Sequence, residues 1–424
     1  MSISAHLQGF FSNYPSLAKI YIAFSGGLDS TVLLHAMNAI PIPVHAVYVH
    51  HHLQKENDDW QQHCEKICLQ WDISFSVLHA QIHLQAQQSI EELARNARYE
   101  LLQSLVSAED ALLTAHHQDD LAETLLLQLL RGAGPQGLAA MPEKKSLTMG
   151  LHLRPLLSFT RNQLLDYAQK NKLKWIEDPS NADHRFDRNY LRHELMPKLL
   201  QRWPAAQQTM ARSAQLQAEA SSCLEDLAKI DIQSARTAQA DILNTIALQK
   251  LNPERLRNVL RYWIRTHDIR VPSKKILQQV IQDMVIKEEM DMSPVQTWKQ
   301  GEIRRYQNNL YLMRPLKPHD SDQSLCWKID QPLCIDSLNR TLQPTELNGI
   351  TLPSDTEELT VRFRQGGERL KPFGQKHHRS LKKLLNEAEV PTWERDRIPL
   401  LYHREQLVSV LGYWNTAQDC ETPP

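Results

Sequence analysis

Residues 20–37, IYIAFSGGLDSTVLLHAM, predict a strand, a glycine turn and a helix in that order. The run from Ile20 to Phe24 is apolar and β-prone, as in a strand covered on both faces. After the turn, apolar residues recur at helical spacing, and Asp29 or Ser30 could cap that helix. Main-chain N–H groups and the positive end of the helix dipole would then point into the turn. The stretch therefore predicts a phosphate site at the end of a buried strand.

The hexapeptide SGGLDS, residues 25–30, makes this prediction more specific. A Ser-Gly-Gly turn alone is common in loops without a ligand. The hexapeptide after a buried strand, however, resembles the phosphate loop, or PP-loop, of the N-type ATP pyrophosphatases, which cleave ATP between the α and β phosphates. No G-x-x-x-x-G-K-[ST] occurs in the chain, so it has no Walker A loop. The resemblance implies that ATP is bound by Ser25, Gly26, Gly27, Leu28, Asp29 and Ser30.

Further strands are predicted at residues 44–49, 73–78 and 111–114, each separated from the next by a helical pattern. This alternation predicts an α/β fold with a doubly wound parallel sheet. Ligands of such sheets bind at the carboxyl ends of the strands. The PP-loop, the histidines at 50–52 and the cluster HHQDD at 116–120 all follow a strand. We therefore expect them to converge.

Carboxylates and arginines complete the candidate catalytic set. Asp120 and Glu123 are three residues apart and share a helix face, where they could hold magnesium or a substrate ammonium group. The alternative is that they only complement the helix dipole. For Mg²⁺ we predict Asp29 and Asp120 as ligands, since magnesium prefers oxygen donors. Arg188 and Arg192 are one helical turn apart and could supply positive charge for phosphates. The alternative is that they form surface salt bridges.

Composition restricts the class of protein. The 424 residues suggest roughly two to three domains, and the net charge of −1 hides a segregation of charge. Residues 1–110 carry five Lys/Arg and eleven Asp/Glu, whereas residues 361–385 carry eight Lys/Arg and one acid, Glu368. Such a local basic patch predicts a polyanion-binding surface. Its basic residues are Arg362, Arg364, Arg369, Lys371, Lys376, Arg379, Lys382 and Lys383.

Six scattered cysteines without a C-x-x-C motif, and no signal segment, predict reduced thiols in a cytoplasmic protein. No apolar run approaches the ~20 residues of a membrane span, so we expect no membrane partner. The histidines at 50–52 favour contact with a nucleotide or RNA over a metal site, because three consecutive strand residues point to alternate faces.

Longer motifs resemble the tRNA(Ile)-lysidine synthetase family closely and in the same order. They are SGGLDSTVLLH, YVHHHL, ARNARYELL, TAHHQDDLAETLLLQLLRGAGPQGLAAM, RPLLSFTR, WIEDPSN and FDRNYLRHELMPKL. The resemblance implies a ligase that joins L-lysine to C2 of the wobble cytidine, position 34, of the tRNA(Ile) with a CAU anticodon. ATP and Mg²⁺ are implied, with an adenylated cytidine intermediate and release of pyrophosphate and AMP. The resemblance leaves open whether the chain forms a homodimer.

The same resemblance predicts four segments. Residues 1–204 would be the PP-loop catalytic domain and 205–315 a helical tRNA-binding domain. Residues 316–355 would be a linker, because composition itself places a domain junction within residues 316–360, which are acidic and rich in Pro, Ser and Thr. Residues 356–424 would be a small mixed α/β domain that binds tRNA. Carried over to this chain, the catalytic residues would be Asp120, Glu123, Arg188 and Arg192. The tRNA would be gripped by Arg362, Arg364, Arg369, Lys371, Arg379, Lys382 and Lys383.

One residue departs from the family pattern, and three other functions compete with this one. His52 stands where the family is expected to have glycine, which puts any main-chain contact to adenine at that turn in question. A tRNA thiolase would need cysteines near the loop, and an amidotransferase would need a glutaminase domain, for which residues 1–19 leave no room. A catalytically idle RNA-binding module is disfavoured by the intact SGGLDS and DDLAE motifs.

Overall fold

The structure is a computed structural model that describes residues 2–52, 56–81, 90–179, 183–287, 293–353, 356–375 and 377–416. The chain forms two compact units, Met1–Leu224 and Glu225–Pro424. Lys376, a residue of the predicted basic patch, lies outside the described residues.

The first unit is built on a six-stranded sheet with the strand order β3-β2-β1-β4-β6-β5. All neighbours are parallel except β5, which pairs antiparallel with β6. The predicted parallel α/β fold is therefore confirmed. The strands are β1 Lys19–Ala23, β2 Val44–His50, β3 Ser74–His79, β4 Asp110–Leu113, β5 Lys144–Ser146 and β6 Leu151–Leu153.

Helices cover both faces of this sheet. One apolar core contains Leu33, Cys64 and Leu164, and the other contains Val47, Leu102 and Leu112. The helices are α1 Ile3–Phe11, α2 Leu28–Met37, α3 Asn57–Gln70, α4 Ile90–Ser104, α5 Gln118–Leu130, α6 Pro135–Leu138, α7 Arg161–Lys170, α8 Asp187–Tyr190, a π-helical turn Leu191–Leu195, α9 Met196–Arg202 and α10 Ala206–Ala235. Helix α10 begins in the first unit and ends in the second.

Strand β1 lies inside the sheet because its apolar side chains fill both faces. It pairs with β2 on one side and β4 on the other, and Ile20 and Ile22 are fully buried. The loop after β1 is therefore flanked by the loops after β2 and β4, as the sequence predicts.

The second unit contains two antiparallel sheets. The first has the order β7-β10-β9-β8 and shares a core with Trp263 and Leu277. Its strands and helices are β7 Ile242–Asn244, α11 Thr245–Gln249, α12 Pro253–Thr266, α13 Lys274–Val280, a π-helical turn Ile281–Ile286, β8 Val295–Trp298, β9 Gly301–Tyr306 and β10 Asn309–Met313.

The second sheet of this unit has the order β11-β14-β17-β18-β19, with two small hairpins beside it. Its elements are β11 Leu325–Lys328, β12 Leu333–Ile335, β13 Arg340–Leu342, β14 Glu358–Arg362, β15 Arg369–Leu370, β16 Arg379–Ser380, α14 Leu381–Glu387, α15 Thr392–Arg395, β17 Leu400–His403, β18 Gln406–Val410 and β19 Trp414–Asn415, with 3₁₀ turns Asp336–Leu338 and Pro344–Leu347.

Residues 316–355, predicted as a linker, contribute to the core of this second sheet. Strand β11 pairs with β14, and the buried Trp327, Ile335 and Leu342 pack with Leu359 and Val361. Polar composition suggested a junction, but alternating apolar residues in short strands are enough to close a small sheet. The four predicted segment boundaries stay predictions.

Within the described ranges, none of the helices has the length and apolar character needed to cross a bilayer. Cys64 and Cys68 are unpaired and buried in the core of the first unit. Burial raises the pKa of Cys68 to about 12, which keeps this thiol protonated and unreactive.

Candidate active site

The loop after β1 is held in shape by its own residues. Gly26 has a φ of +76°, which glycine adopts without steric cost. A Cβ at Gly26 would lie 2.6 Å from Ile176 Cδ1 and 2.8 Å from Cys64 Sγ. The main-chain N–H of Ile176 donates to the Gly26 carbonyl at 2.8 Å, which fixes the loop against the segment around Ile176. The glycine is thus required by both backbone conformation and packing.

Helix α2 begins two to three residues earlier than the sequence suggested. Gly27 is its N-cap, in an extended conformation and without a side-chain cap, so the predicted cap by Asp29 or Ser30 is wrong. Ser30 Oγ instead donates to the Gly27 carbonyl at 3.0 Å and lies 3.2 Å from Ser25 Oγ. Because no side chain caps the helix, its first N–H groups remain available to an anion.

His117, at the start of α5, links the PP-loop to the acids that follow β4. Its ring nitrogens lie 3.6 Å from Asp29 Oδ2, 3.5 Å from Asp119 Oδ2 and 3.5 Å from Asp120 Oδ2. These separations are longer than good hydrogen bonds, so the attraction is mainly electrostatic. Burial alone would lower the pKa of His117, but the three carboxylates outweigh it and raise that pKa to about 10. The imidazole is therefore a buried cation.

Two acids and two arginines form a network next to His117. Glu123 is 1% exposed and accepts bonds from Arg188 Nε at 2.8 Å and from Arg192 Nε at 2.7 Å. Asp120 Oδ1 accepts from both Arg188 at 2.8 Å and Arg192 at 3.2 Å. Helix α8 and the π-helical turn supply the arginines, 65 to 72 residues along the chain from the acids.

Electrostatics keep Asp120 and the two arginines of this network ionised. Burial would raise the pKa of Asp120, but His117 and Arg188 lower it to about 2. The two carboxylates raise the pKa of both arginines, against the effect of burial. The structure thus brings Asp120, Glu123, Arg188 and Arg192 together, but as four mutually neutralised groups.

The two predicted magnesium ligands differ in what their oxygens contact. Asp29 Oδ1 is buried and has no hydrogen-bond partner in the described structure. Both oxygens of Asp120 are used, Oδ1 by the arginines and Oδ2 by the main-chain N–H of His117 at 3.0 Å. A carboxylate oxygen without a donor suits a hard cation, so the chemistry of Asp29 fits Mg²⁺ better than that of Asp120.

Comparison with known proteins bears on this arrangement. A family model described as a PP-loop domain matches residues 1–199. Models described as a TilS substrate binding domain and a TilS substrate C-terminal domain match residues 243–311 and 359–423. The tRNA(Ile)-lysidine synthase of Coxiella burnetii is 42% identical over 96% of this chain and 91% of its own length. The chain belongs to the tRNA(Ile)-lysidine synthase family. The family resemblance read from the motifs is confirmed.

Two further members of the family match over similar lengths. The tRNA(Ile)-lysidine synthase of Methylococcus capsulatus is 40% identical over 92% of this chain and 90% of its own length. That of Edwardsiella ictaluri is 38% identical over 94% and 92%. The match of the PP-loop domain confirms that the chain carries an ATP-using domain of a ligase family.

The basic patch predicted to bind tRNA is partly neutralised by acids from outside its sequence window. Arg362 bonds to Glu405 at 2.8 and 2.9 Å, Arg364 to Asp396 at 3.0 Å, and Arg379 contacts Glu387. Arg369 donates to the His378 carbonyl at 3.4 Å, and Lys371 is half-buried. Lys382 and Lys383 are exposed on the first turn of α14.

Sequence reasoning placed HHQDD at the site but gave its histidines no individual role. His117 is the charged centre described above. His116 is neutral, because burial lowers its pKa well below the usual value, and Thr114 Oγ1 joins it to His152 at 2.8 and 2.9 Å. The signal was the position of these histidines directly after β4. Their separate roles depend on neighbours that come from distant segments.

Proposed function

We propose that the chain ligates L-lysine to C2 of the wobble cytidine of a tRNA(Ile) with a CAU anticodon. ATP would first adenylate the cytosine 2-carbonyl oxygen and release pyrophosphate, and the lysine amine would then attack C2 and displace AMP. The observation that carries this proposal is the bridge of His117 between the PP-loop residue Asp29 and the network acid Asp120. It joins an anion-binding loop to two arginines in one site.

The PP-loop and the arginines would share the phosphates of ATP. The uncapped N-terminus of α2 supplies N–H donors and a partial positive charge. Arg188 and Arg192 are oriented by Asp120 and Glu123, through Nε and one Nη each. Such fixed cations stabilise the charge that develops on a departing pyrophosphate.

For Mg²⁺ we propose Asp29 as the main protein ligand. Its buried Oδ1 lacks a donor, whereas Asp120 would first have to release an arginine or the His117 N–H. Magnesium bound with ATP neutralises phosphate charge. The same limit applies to lysine, because neither Asp120 nor Glu123 can receive the substrate ammonium group until a guanidinium moves away.

The tRNA would be held mainly by phosphates and shape, since a single cytosine has to leave its stack to be modified. The seven predicted tRNA contacts remain part of the proposal, but we assign the largest share to Lys382 and Lys383. They are exposed, and Arg362, Arg364 and Arg379 already have acidic partners. A homodimer and a cytoplasmic location stay predictions.

Pyrophosphate release tests the proposed reaction. The full-length protein should release pyrophosphate from ATP only when a CAU-anticodon tRNA(Ile) is present, and mass spectrometry should find lysine attached to the tRNA only when lysine is added. An otherwise identical tRNA with uridine at position 34 is the matched control. Pyrophosphate release that does not depend on tRNA would contradict the proposal, as would modification of the uridine control.

A further inference from the structure

Three histidines at the ends of β2 and β3 form a cluster that the proposed reaction does not use. His50, His52 and His79 each offer one ring nitrogen, and these nitrogens all lie within 4.8 Å of one another. Within the described ranges, this is the one group of three or more His, Cys, Asp or Glu residues that meets that criterion.

Strand geometry explains why the three side chains meet. His50 is the last residue of β2, and His52 lies two residues beyond it in a left-handed conformation that places the two rings 4.0 Å apart. His79 is the partner of His50 in the parallel register of β2 and β3. The sequence predicts that the three histidines point to alternate faces, and His51 is the one that is not part of the group. Burial lowers the pKa of His51 to about 4. The third ligand comes from the next strand, which inspection of one motif could not show.

The distances suit a metal ion with imidazole ligands. His52 Nε2 lies 3.0 Å from His79 Nδ1, and the His50 and His52 ring centroids are 4.0 Å apart. Ligand nitrogens in a tetrahedral zinc site are separated by roughly 3.3 Å, given Zn–N bonds of about 2.0–2.1 Å. The His52 and His79 nitrogens share a hydrogen bond at this distance, so metal binding would displace the shared proton and widen the pair by a few tenths of an ångström.

Asp58 and the His52 main chain fix the tautomer of His50. His50 Nε2 lies 3.1 Å from Asp58 Oδ1, while the main-chain N–H of His52 donates to His50 Nδ1 at 3.3 Å. Both contacts favour the tautomer with its proton on Nε2 and its lone pair on Nδ1, and a metal ion bound at Nδ1 would have to displace the long contact from the His52 N–H. A carboxylate behind a histidine in this way is the usual second contact of a metal ligand.

The backbone at His52 is left-handed. Its φ is +55°, the left-handed conformation that glycine adopts freely and that costs other residues roughly 1–2 kcal/mol. Histidine occupies a position suited to glycine, and it supplies the ring nitrogen that completes the group of three.

We propose that His50, His52 and His79 bind one divalent transition-metal ion of the zinc class. Imidazole nitrogens suit zinc and its neighbours, whereas Mg²⁺ prefers oxygen ligands, so the site is separate from any magnesium bound with ATP. His52 and His79 are exposed, which leaves the fourth coordination position to water. Bound metal would join the ends of β2 and β3.

Zinc titration of the full-length protein by calorimetry, with Mg²⁺ in excess, tests this site. Wild type should bind one Zn²⁺ per chain. Asp58→Asn removes a carboxylate behind a ligand and should weaken zinc binding about 10-fold. His52→Gly and His79→Asn remove ligands themselves, so each should weaken zinc binding by more than that. His52→Gly keeps the fold, because glycine favours this φ.

His45→Ala is the matched control, because His45 lies on the same strand and contacts Ser76 Oγ at 2.9 Å, away from the cluster. It should bind zinc like wild type. Thermal unfolding gives a second measurement, in which zinc should raise the Tm of wild type and of His45→Ala but not that of His52→Gly. Equal zinc affinity of wild type and His52→Gly, or no zinc binding by wild type, would overturn the proposal.

Discussion

The acid–arginine network of the first unit and the basic patch of the second both pair arginines with carboxylates. The two regions differ in how far these pairs are exposed to solvent. Glu123 is 1% exposed and contacts two arginines, whereas Glu405, the partner of Arg362, has an 84% exposed side chain. A buried ion cannot exchange its partner for water at low cost, but an exposed pair contributes little and can exchange. This difference fits the proposal that the buried network orients the reacting groups and that the exposed patch exchanges its acidic partners for tRNA phosphates.

The largest effect should follow from breaking the buried network. Glu123→Gln leaves two partly buried guanidinium groups with one carboxylate, so we expect the free energy of unfolding to fall by about 3 kcal/mol. Chemical denaturation measures it. Glu254→Gln is the matched control, because Glu254 pairs with Arg257 at the surface; its effect should stay within roughly 0.5 kcal/mol. Equal losses in both variants would remove the distinction between buried and exposed pairs.

His117 should make the first unit sensitive to alkaline pH. Its pKa is raised from 6.5 to about 10, so its stabilising contribution is complete below pH 6.5 and is lost as the pH rises through 10. Asp120 acts in the opposite range, since its lowered pKa of about 2 means that its contribution is lost only as the pH falls from about 4 to 2.

The free energy of unfolding, measured at several pH values between 6.5 and 10, tests this dependence. Wild type should lose a few kcal/mol of stability across that window, and His117→Gln should be less stable at neutral pH but nearly flat across it. The same alkaline slope in His117→Gln would assign the effect to another group.

The PP-loop offers two adjacent glycines for a matched test. Gly26→Ala places a Cβ 2.6 Å from Ile176 Cδ1 at a positive φ, and should cost at least about 1–2 kcal/mol of stability. At Gly27, where φ is −72°, the nearest atom to a new Cβ is Ser25 Oγ at 3.5 Å, so Gly27→Ala should fold normally. If both variants lost the same stability, packing against Ile176 would not determine the loop.

The smallest effect should come from the exposed patch. Lys382→Ala/Lys383→Ala should weaken tRNA binding by about 1 kcal/mol and reduce the salt slope by about 2, because each lysine is expected to neutralise about one phosphate. Arg362→Ala removes a cation that Glu405 already neutralises and should change the slope less. Binding titrations at several salt concentrations measure both. An unchanged slope in the double variant would make this patch an ordinary solvated surface.

The sequence predicted the parts of the molecule that depend on local pattern. The strand before SGGLDS, the glycine turn that follows it and the position of HHQDD after β4 all follow from short-range spacing. Which charges pair could not be predicted, because Glu123 and Arg188 are 65 residues apart. The charge count over 361–385 likewise missed Glu387, Asp396 and Glu405, which lie outside that window but beside its arginines in space.

The cap of α2 shows a second limit. Asp29 and Ser30 have good capping side chains, but the turn already ends at Gly27, so both residues lie within the first turn of the helix. Asp29 lies near His117 instead. The rule for caps was sound, but the start of the helix was placed two to three residues late.

Asp120→Asn gives the most direct test of the proposal that the buried network performs the chemistry while the basic patch of the second unit holds the tRNA. Single-turnover modification of enzyme-bound tRNA should be measured together with the Kd for tRNA. We expect Asp120→Asn to lose modification by at least about 100-fold, since it removes a charge that orients both arginines, with tRNA affinity nearly unchanged. Weakened tRNA binding with normal turnover of the bound tRNA would contradict the account.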